Sequence, residues 1–365
     1  MRIEPGQTLY ARLPRWACLM LLAALAVLVL LPARPHPALT IPGERSWGAP
    51  AVETAKGDAA LYQQIVADME AGRGYYQAAA AEHRALHYPT TPAQVFRMPT
   101  LAWMLAVLRV PVLQYAVLLS LYGAILVFFY REVRKQQTSL AARMAAVVVA
   151  VTGLSIVGVS GGIYWHEVWA ALLIAASLLS WRAQRWWPAV LCGLAACLIR
   201  EIAVPHLLVM AGFAVGERRW KELFAWAAAI LVFAAAYLAH VTMAATLYRP
   251  GDIVSGSWLA FGGWDFVLAT AKWNILLHQL PYSLIALAVC AGVLGLAGCR
   301  EARTRRAAVI VAGYLTAFLV VGRPDNYYWG MLYTPLLAAG FLWAPAALRD
   351  LAARALGSAT RRSEA

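Results

Sequence analysis

Asp58 is the acidic residue best placed to do chemistry. It follows Gly57 and opens a helix-prone run, Ala-Ala-Leu-Tyr62-Gln-Gln-Ile. A carboxylate there either caps the helix by accepting from its first free amides or serves as a rigidly held general base. The two roles are compatible. Glu53, Asp68 and Glu70 read as solvated loop charges. Other ionisable residues stand at the ends of apolar runs: Arg97, His166-Glu167, Arg200-Glu201, and Arg323 with Asp325. Charge beside a spanning segment is costly unless it faces a cavity or a partner, so these residues predict a polar cavity on one side of the chain.

Arg200 and Glu201 stand at the junction of apolar runs 187–199 and 201–216. The first run is too short to cross about 30 Å of hydrocarbon untilted. An arginine at such a depth holds a phosphate through bidentate hydrogen bonds, or it forms a structural ion pair that fastens two helices. His166-Glu167 is an acid–base pair, a phosphate contact, or an interfacial polar pair at a helix start. His83 and His87 have i, i+4 metal-ligand spacing. They lack a third ligand and read as an exposed helix face, so no metal is expected. His240 is a weaker cavity candidate. Asp325-Asn326-Tyr-Tyr-Trp suits sugar binding or an aromatic interface belt. The chain has no Walker loop, dinucleotide glycine motif, Asp-x-Asp or nucleophile elbow, which argues against a nucleotide-consuming enzyme and leaves no organic cofactor expected.

The elements that must position these residues are membrane helices. Of 365 residues, 62% are hydrophobic and 13% charged, too little charge to cover a soluble domain of this size. The apolar runs predict ten spans: 16–31, 111–130, 144–160, 164–181, 187–199, 201–216, 222–246, 273–298, 307–322 and 328–346. Segments 187–199 and 201–216 could also form one broken helix. The 16–31 run reads as an uncleaved signal anchor, with a cleaved signal peptide as its rival. Helical stretches at 59–71 and 77–87 and a short interfacial helix at 99–109 fill the polar segment between the first spans. The whole of 1–365 is one predicted membrane domain, with extracytoplasmic segments 32–98 and 247–272.

Loop charge sets the orientation. With both termini in the cytoplasm, the inner side holds 20 of the 31 basic residues and 7 of the 18 acids, and so the full +13. This pattern explains the net charge without nucleic acid and places the chain in a cytoplasmic membrane, as in the bacterial inner membrane. Five cysteines lie in or at the ends of apolar runs, and no structural disulfide is expected.

The segments Gly57-Asp58-Ala-Ala-Leu-Tyr62, Gly72-Arg-Gly-Tyr75-Tyr76 and Phe96-Arg97-Met-Pro99 together resemble the first-loop pattern of GT-C fold polytopic glycosyltransferases. His166-Glu167 and Leu198-Ile-Arg200-Glu201 look like later polar positions of related bacterial proteins. The resemblance implies an all-α transmembrane bundle with a large helical first extracytoplasmic loop. It implies transfer of a sugar from a polyprenyl-phosphate-linked donor to a glycan, lipid or protein acceptor at the extracytoplasmic face. Asp58 would be the general base and Arg200 the phosphate ligand, with Tyr62, Arg97, His166, Glu167, Glu201 and Arg323 as further binding residues. Many members carry a second acidic residue beside the first-loop aspartate. Here Ala59 stands in its place, which leaves one carboxylate for catalysis and no metal role. The alternatives are a transporter or lipid flippase, which would show related halves, and a non-catalytic membrane assembly protein.

Overall fold

The computed structural model describes residues 8–31, 57–136 and 139–357. Glu53 and the outermost basic residues, Arg2, Arg361 and Arg362, lie outside the described residues. Among those described, the chain is all-helical and has no β-strand; only isolated bridges join Thr91 to Val254 and Arg182 to Arg185.

The helices in chain order are α1 (Arg15–Leu30), α2 (Asp58–Glu70), α3 (Tyr75–Ala85), α4 (Thr100–Leu108), α5 (Pro111–Gln136), α6 (Leu140–Gly153), α7 (His166–Ser180) and α8 (Trp187–Ile199). There follow α9 (Val204–Gly216), α10 (Trp220–Ala245), α11 (Gly263–Ala271), α12 (Tyr282–Gly298), α13 (Ala302–Phe318), α14 (Thr334–Gly340) and α15 (Ala344–Ala355). They form two compact units, each assembled from separate stretches of chain. One unit takes residues 1–40, 126–155 and 260–365; the other takes 41–125 and 156–259.

Two helices are long and apolar enough to cross a membrane alone: Pro111–Lys135 with 25 residues and Trp220–Ala245 with 26. The α14–α15 pair would make a third if counted as one span, but it is bent by 54°. The remaining apolar helices are shorter. α6 and α7 have 14 and 15 residues, about 21–23 Å of helix. The run predicted as 144–160 stops being α-helical at Gly153 and continues in 3-10 turns through a glycine-rich stretch. The predicted 273–298 span begins only at Tyr282, because residues 273–280 form turns and Pro281 occupies the N-cap. The predicted 328–346 span is interrupted: a 3-10 helix, Pro324–Leu332, precedes α14, and a turn separates α14 from α15. The predicted loop 247–272 ends in α11, which is buried from Phe266 to Ala271.

In the first unit, α12 packs directly on α14 and α15. Small residues allow this approach, since a Cβ on Gly292 would press on Leu337 and one on Gly295 would collide with the Gly340 carbonyl. The N-terminal 3-10 turn is pinned to the same helices. Tyr10 donates to the Leu294 carbonyl at 3.0 Å, and the buried Asp350 carboxylate accepts from the Thr8 amide at 3.1 Å and hydroxyl at 2.9 Å. Glu301 caps α13 by accepting from the Thr304 amide at 2.8 Å.

In the second unit, α7 packs on α8, α10 on α8 and α9, and α2 on α3 and α4. Buried polar side chains pair with one another. Ser177 and His206 share a hydrogen bond of 2.8 Å, and Glu222 accepts from the indoles of Trp181 and Trp226 at 2.7 and 3.1 Å. The five cysteines are free.

Gly295→Ala forces a methyl group into the Gly340 backbone. We expect a loss of about 1–3 kcal/mol from overpacking, read as a lower unfolding temperature in detergent, whereas Gly313→Ala, which meets open space, leaves it unchanged.

Candidate functional site

The second unit gathers most of the ionisable residues that the sequence singles out. α2 begins after Gly57, which takes the N-cap, so Asp58 is the first helical residue and not the cap itself. Its carboxylate instead accepts from the Tyr88 hydroxyl at 3.0 Å. Tyr62 stands one turn later, on the same face as Asp58. The start of α2 also lies close to the turn before α7: Gly161 is left-handed, and a Cβ there would sit 2.9 Å from that of Ala59.

Tyr62 is the hub. His166 meets its ring edge-on at 4.7 Å between centroids, and the Arg97 guanidinium lies over it at 6.0 Å. The hydroxyl sits in the combined field of Arg97, Asp58, Glu167 and Arg200, while burial pushes its pKa far above the ordinary phenol range. It therefore stays protonated. Burial raises Tyr75 in the same way, and its hydroxyl donates to the Arg97 carbonyl at 2.5 Å.

Arg200 occupies the break between α8 and the 3-10 turn that leads into α9. Its Nε donates to Glu167 of α7 at 2.5 Å, and a terminal nitrogen donates to Glu201. Arg200 and Glu167 are each only 1% exposed. The sequence suggested an Arg200–Glu201 pair; the structure shows a three-membered ionic cluster that joins α7 to the α8–α9 break.

Arg97 is held by its main chain. The Phe96 carbonyl, which can only accept, bonds His240 Nε2 at 3.1 Å, so Nε2 carries the proton. His240 Nδ1 is then the acceptor for the Tyr76 hydroxyl at 3.2 Å. Thus α3 and α10 together fix the entry into α4.

A second clasp lies nearby. Arg84 makes a bidentate pair with Asp252, both contacts at 2.7 Å, and also donates to the Leu247 carbonyl at 2.7 Å. These hydrogen bonds hold the Asp252 carboxyl well below its usual range. Thr90 and Ser255 amides add main-chain bonds across the same two segments, at 3.0 and 2.6 Å. Residues 84–91 and 247–255 are therefore fastened together.

Between α2, α3, α4 and the α7 start lies a small recess lined by Tyr62, Ile65, Tyr75, Leu101, Leu105 and His166, among others. Its cavity volume of about 10 Å³ is the space of one water molecule. The recess is lined mostly by apolar and aromatic side chains, with the His166 imidazole among them.

Asp58, Tyr62, Arg97, His166, Glu167, Arg200 and Glu201 thus converge. Arg323 belongs to the other unit, where it pairs with Asp325 at 3.0 Å and opens the 3-10 helix Pro324–Leu332. His83 is corrected: it is buried and not on an exposed face, with Nδ1 2.7 Å from the Pro89 carbonyl and its ring against Phe96. His87, with φ of 57°, ends the helix away from it. Asp68 pairs with Arg73 at 2.5 Å. Sequence reasoning missed Tyr88 as partner of Asp58 and Arg84–Asp252 as a clasp. Neither carries a spacing signal, since the partners lie far apart in sequence.

No family model, curated protein or solved structure matches the chain.

Two outcomes follow. Glu167→Gln leaves Arg200 with one carboxylate in a buried setting and should cost about 3 kcal/mol of stability, visible as a lower melting temperature, while Glu70→Gln should cost nothing. Burial lowers the His83 pKa to about 4 from 6.5. The folded state therefore resists a proton that the unfolded chain takes up, so stability present above pH 6.5 is lost as pH falls to about 4. A melt series across that window should show this loss, and His83→Asn should remove that component.

Proposed function

We propose that this chain is a polytopic membrane glycosyltransferase of the GT-C type. It would move a sugar from a polyprenyl-phosphate-linked donor to a hydroxyl-bearing glycan, lipid or protein at the extracytoplasmic face. The observation that supports this reading is the gathering of Asp58, Arg97 and His166 around Tyr62, which with His166 lines the small recess, backed by the Glu167–Arg200–Glu201 cluster.

In this reading the two long helices and the shorter apolar ones together form the membrane bundle, with both termini cytoplasmic. The shorter helices lie tilted or end below the headgroups, where their polar termini open on the site. Asp58 takes the proton of the acceptor hydroxyl, whose oxygen attacks the anomeric carbon. The bond from that carbon to the donor phosphate oxygen breaks, and polyprenyl phosphate leaves with the electron pair. Tyr88 orients the Asp58 carboxylate through its hydroxyl. Arg97 faces the departing phosphate, where preorganised positive charge lowers the barrier. Arg200 acts on the phosphate at longer range, because its guanidinium is shared by two carboxylates. The recess admits only a small group, so the sugar lies at its rim. No metal is invoked.

The burial of Arg200 between carboxylates also fits a second reading, a non-catalytic membrane assembly protein held rigid by its ionic cluster. An assay separates the two. The purified chain in vesicles is offered a panel of radiolabelled polyprenyl-phosphate sugars, and release of polyprenyl phosphate is followed. Asp58→Asn should lower turnover by about 100-fold or more with melting unchanged. Turnover of an accepted donor that Asp58→Asn leaves undiminished would exclude Asp58 as base. Absence of turnover with every donor would favour the assembly reading.

A further inference from the structure

The first unit carries a concentration of positive charge that the sugar-transfer chemistry does not use. Its described residues hold twelve basic side chains at one set of helix ends: Arg12 and Arg15, three at the end of α5, Arg143, four from Arg300 to Arg306, and Arg349 and Arg354. Only three acids share this face, Glu132, Glu301 and Asp350, and each is engaged. Glu132 bonds Arg303 at 2.7 Å and Lys135 at 2.9 Å. Glu301 caps α13 and pairs with Arg303 at 2.8 Å, and Asp350 accepts from Thr8 and pairs with Arg349.

One network of contacts joins the face. Arg300 donates to the Thr8 carbonyl at 3.1 Å, Arg354 to the Leu13 carbonyl at 2.8 Å, and Arg15 to the Ala355 carbonyl at 2.8 Å. These arginines are committed to the fold. Arg12, Arg131, Arg134 and Arg305 differ: they are exposed, and no ion-pair partner is found for them among the described residues.

The neighbours of these four point to a kind of partner. Trp16, Leu19 and Met20 are exposed just after Arg12, Val127 and Phe128 just before Arg131, and Val309 one turn beyond Arg305. Guanidinium groups bordered within one turn by exposed apolar side chains match the boundary between phospholipid headgroups and acyl chains. A nucleic-acid surface would instead continue as polar or aromatic platform away from the charge.

We propose that this face binds anionic phospholipid headgroups of the bilayer, and that Arg12, Arg131, Arg134 and Arg305 are its contact residues. The inference rests on the membrane placement of the helices and is independent of the transferase chemistry. Juxtamembrane arginines gain from an anionic leaflet within a Debye length, so the preference should weaken with salt.

The test uses the full chain in nanodiscs of phosphatidylcholine with increasing phosphatidylglycerol, read by melting temperature, and the same chain in detergent, read by native mass spectrometry of retained lipid. Retention of phosphatidylglycerol over phosphatidylcholine should be about tenfold or more, should fall between 50 and 500 mM salt, and should be lost in the combined Arg12→Gln, Arg131→Gln, Arg134→Gln, Arg305→Gln variant. That variant should melt like the parent in pure phosphatidylcholine. The corresponding four Arg→Lys changes should keep the preference, which guards against misfolding of the glutamine variant. Changing the exposed Arg109 and Arg249 to Gln should also keep it. Equal retention of the two lipids, or a preference that survives the four glutamines, would overturn the proposal. So would competition by soluble glycerol phosphate at the same concentration as the lipid, which would mean a free-anion site. Binding of RNA without any lipid preference would mean a nucleic-acid surface.

Discussion

Arg200 is the constraint around which the second unit is arranged. A guanidinium only 1% exposed must be met by countercharge, and Glu167 and Glu201 supply it from two directions. Because Arg200 stands where α8 stops, the pairing fixes the end of one helix against the start of α7. His166 precedes Glu167 and is carried to the Tyr62 ring by the same contact. Tyr62 in turn sets the direction of α2, whose first residue is Asp58. The cost of burying one charge is thus offset by an arrangement that also aligns the residues proposed to do chemistry.

The remaining contacts act on the peptide backbone. His240 and Tyr75 bond the carbonyls of Phe96 and Arg97, so the chain entering α4 is held from both sides. The Arg84–Asp252 clasp ties in the later segment. A catalytic constellation gains from such support, since small misplacements are costly in rate. The same rigidity explains how so narrow a recess persists with tyrosine hydroxyls that remain protonated donors.

Local elements were legible in the sequence where punctuation was strong. Gly57, Gly72 and Gly74 bracket α2 and α3, and the helices expected at 59–71 and 77–87 fall within two residues of Asp58–Glu70 and Tyr75–Ala85. Pro99 opens α4 in the same way. Span lengths were less legible, because an apolar run does not reveal where its backbone leaves the α conformation. Glycines after Gly153, Pro281, and the turn between α14 and α15 each cut a run short. The site showed the same division. Ionisable residues at helix ends were visible as residue types, and six of them meet. Their partners were not, because Tyr88 and Asp252 reach Asp58 and Arg84 only through tertiary folding, and the burial of His83 depends on Phe96.

The most direct measurement is photo-crosslinking of the full chain in native-like bilayers with a polyprenyl-phosphate sugar bearing a diazirine on the sugar. Peptide mapping should place the label within 58–101 and 162–202, around Tyr62, Arg97 and His166, and excess unlabelled donor should suppress it. Label confined to the other unit, or label in the second unit that unlabelled donor does not displace, would contradict the assignment of the site.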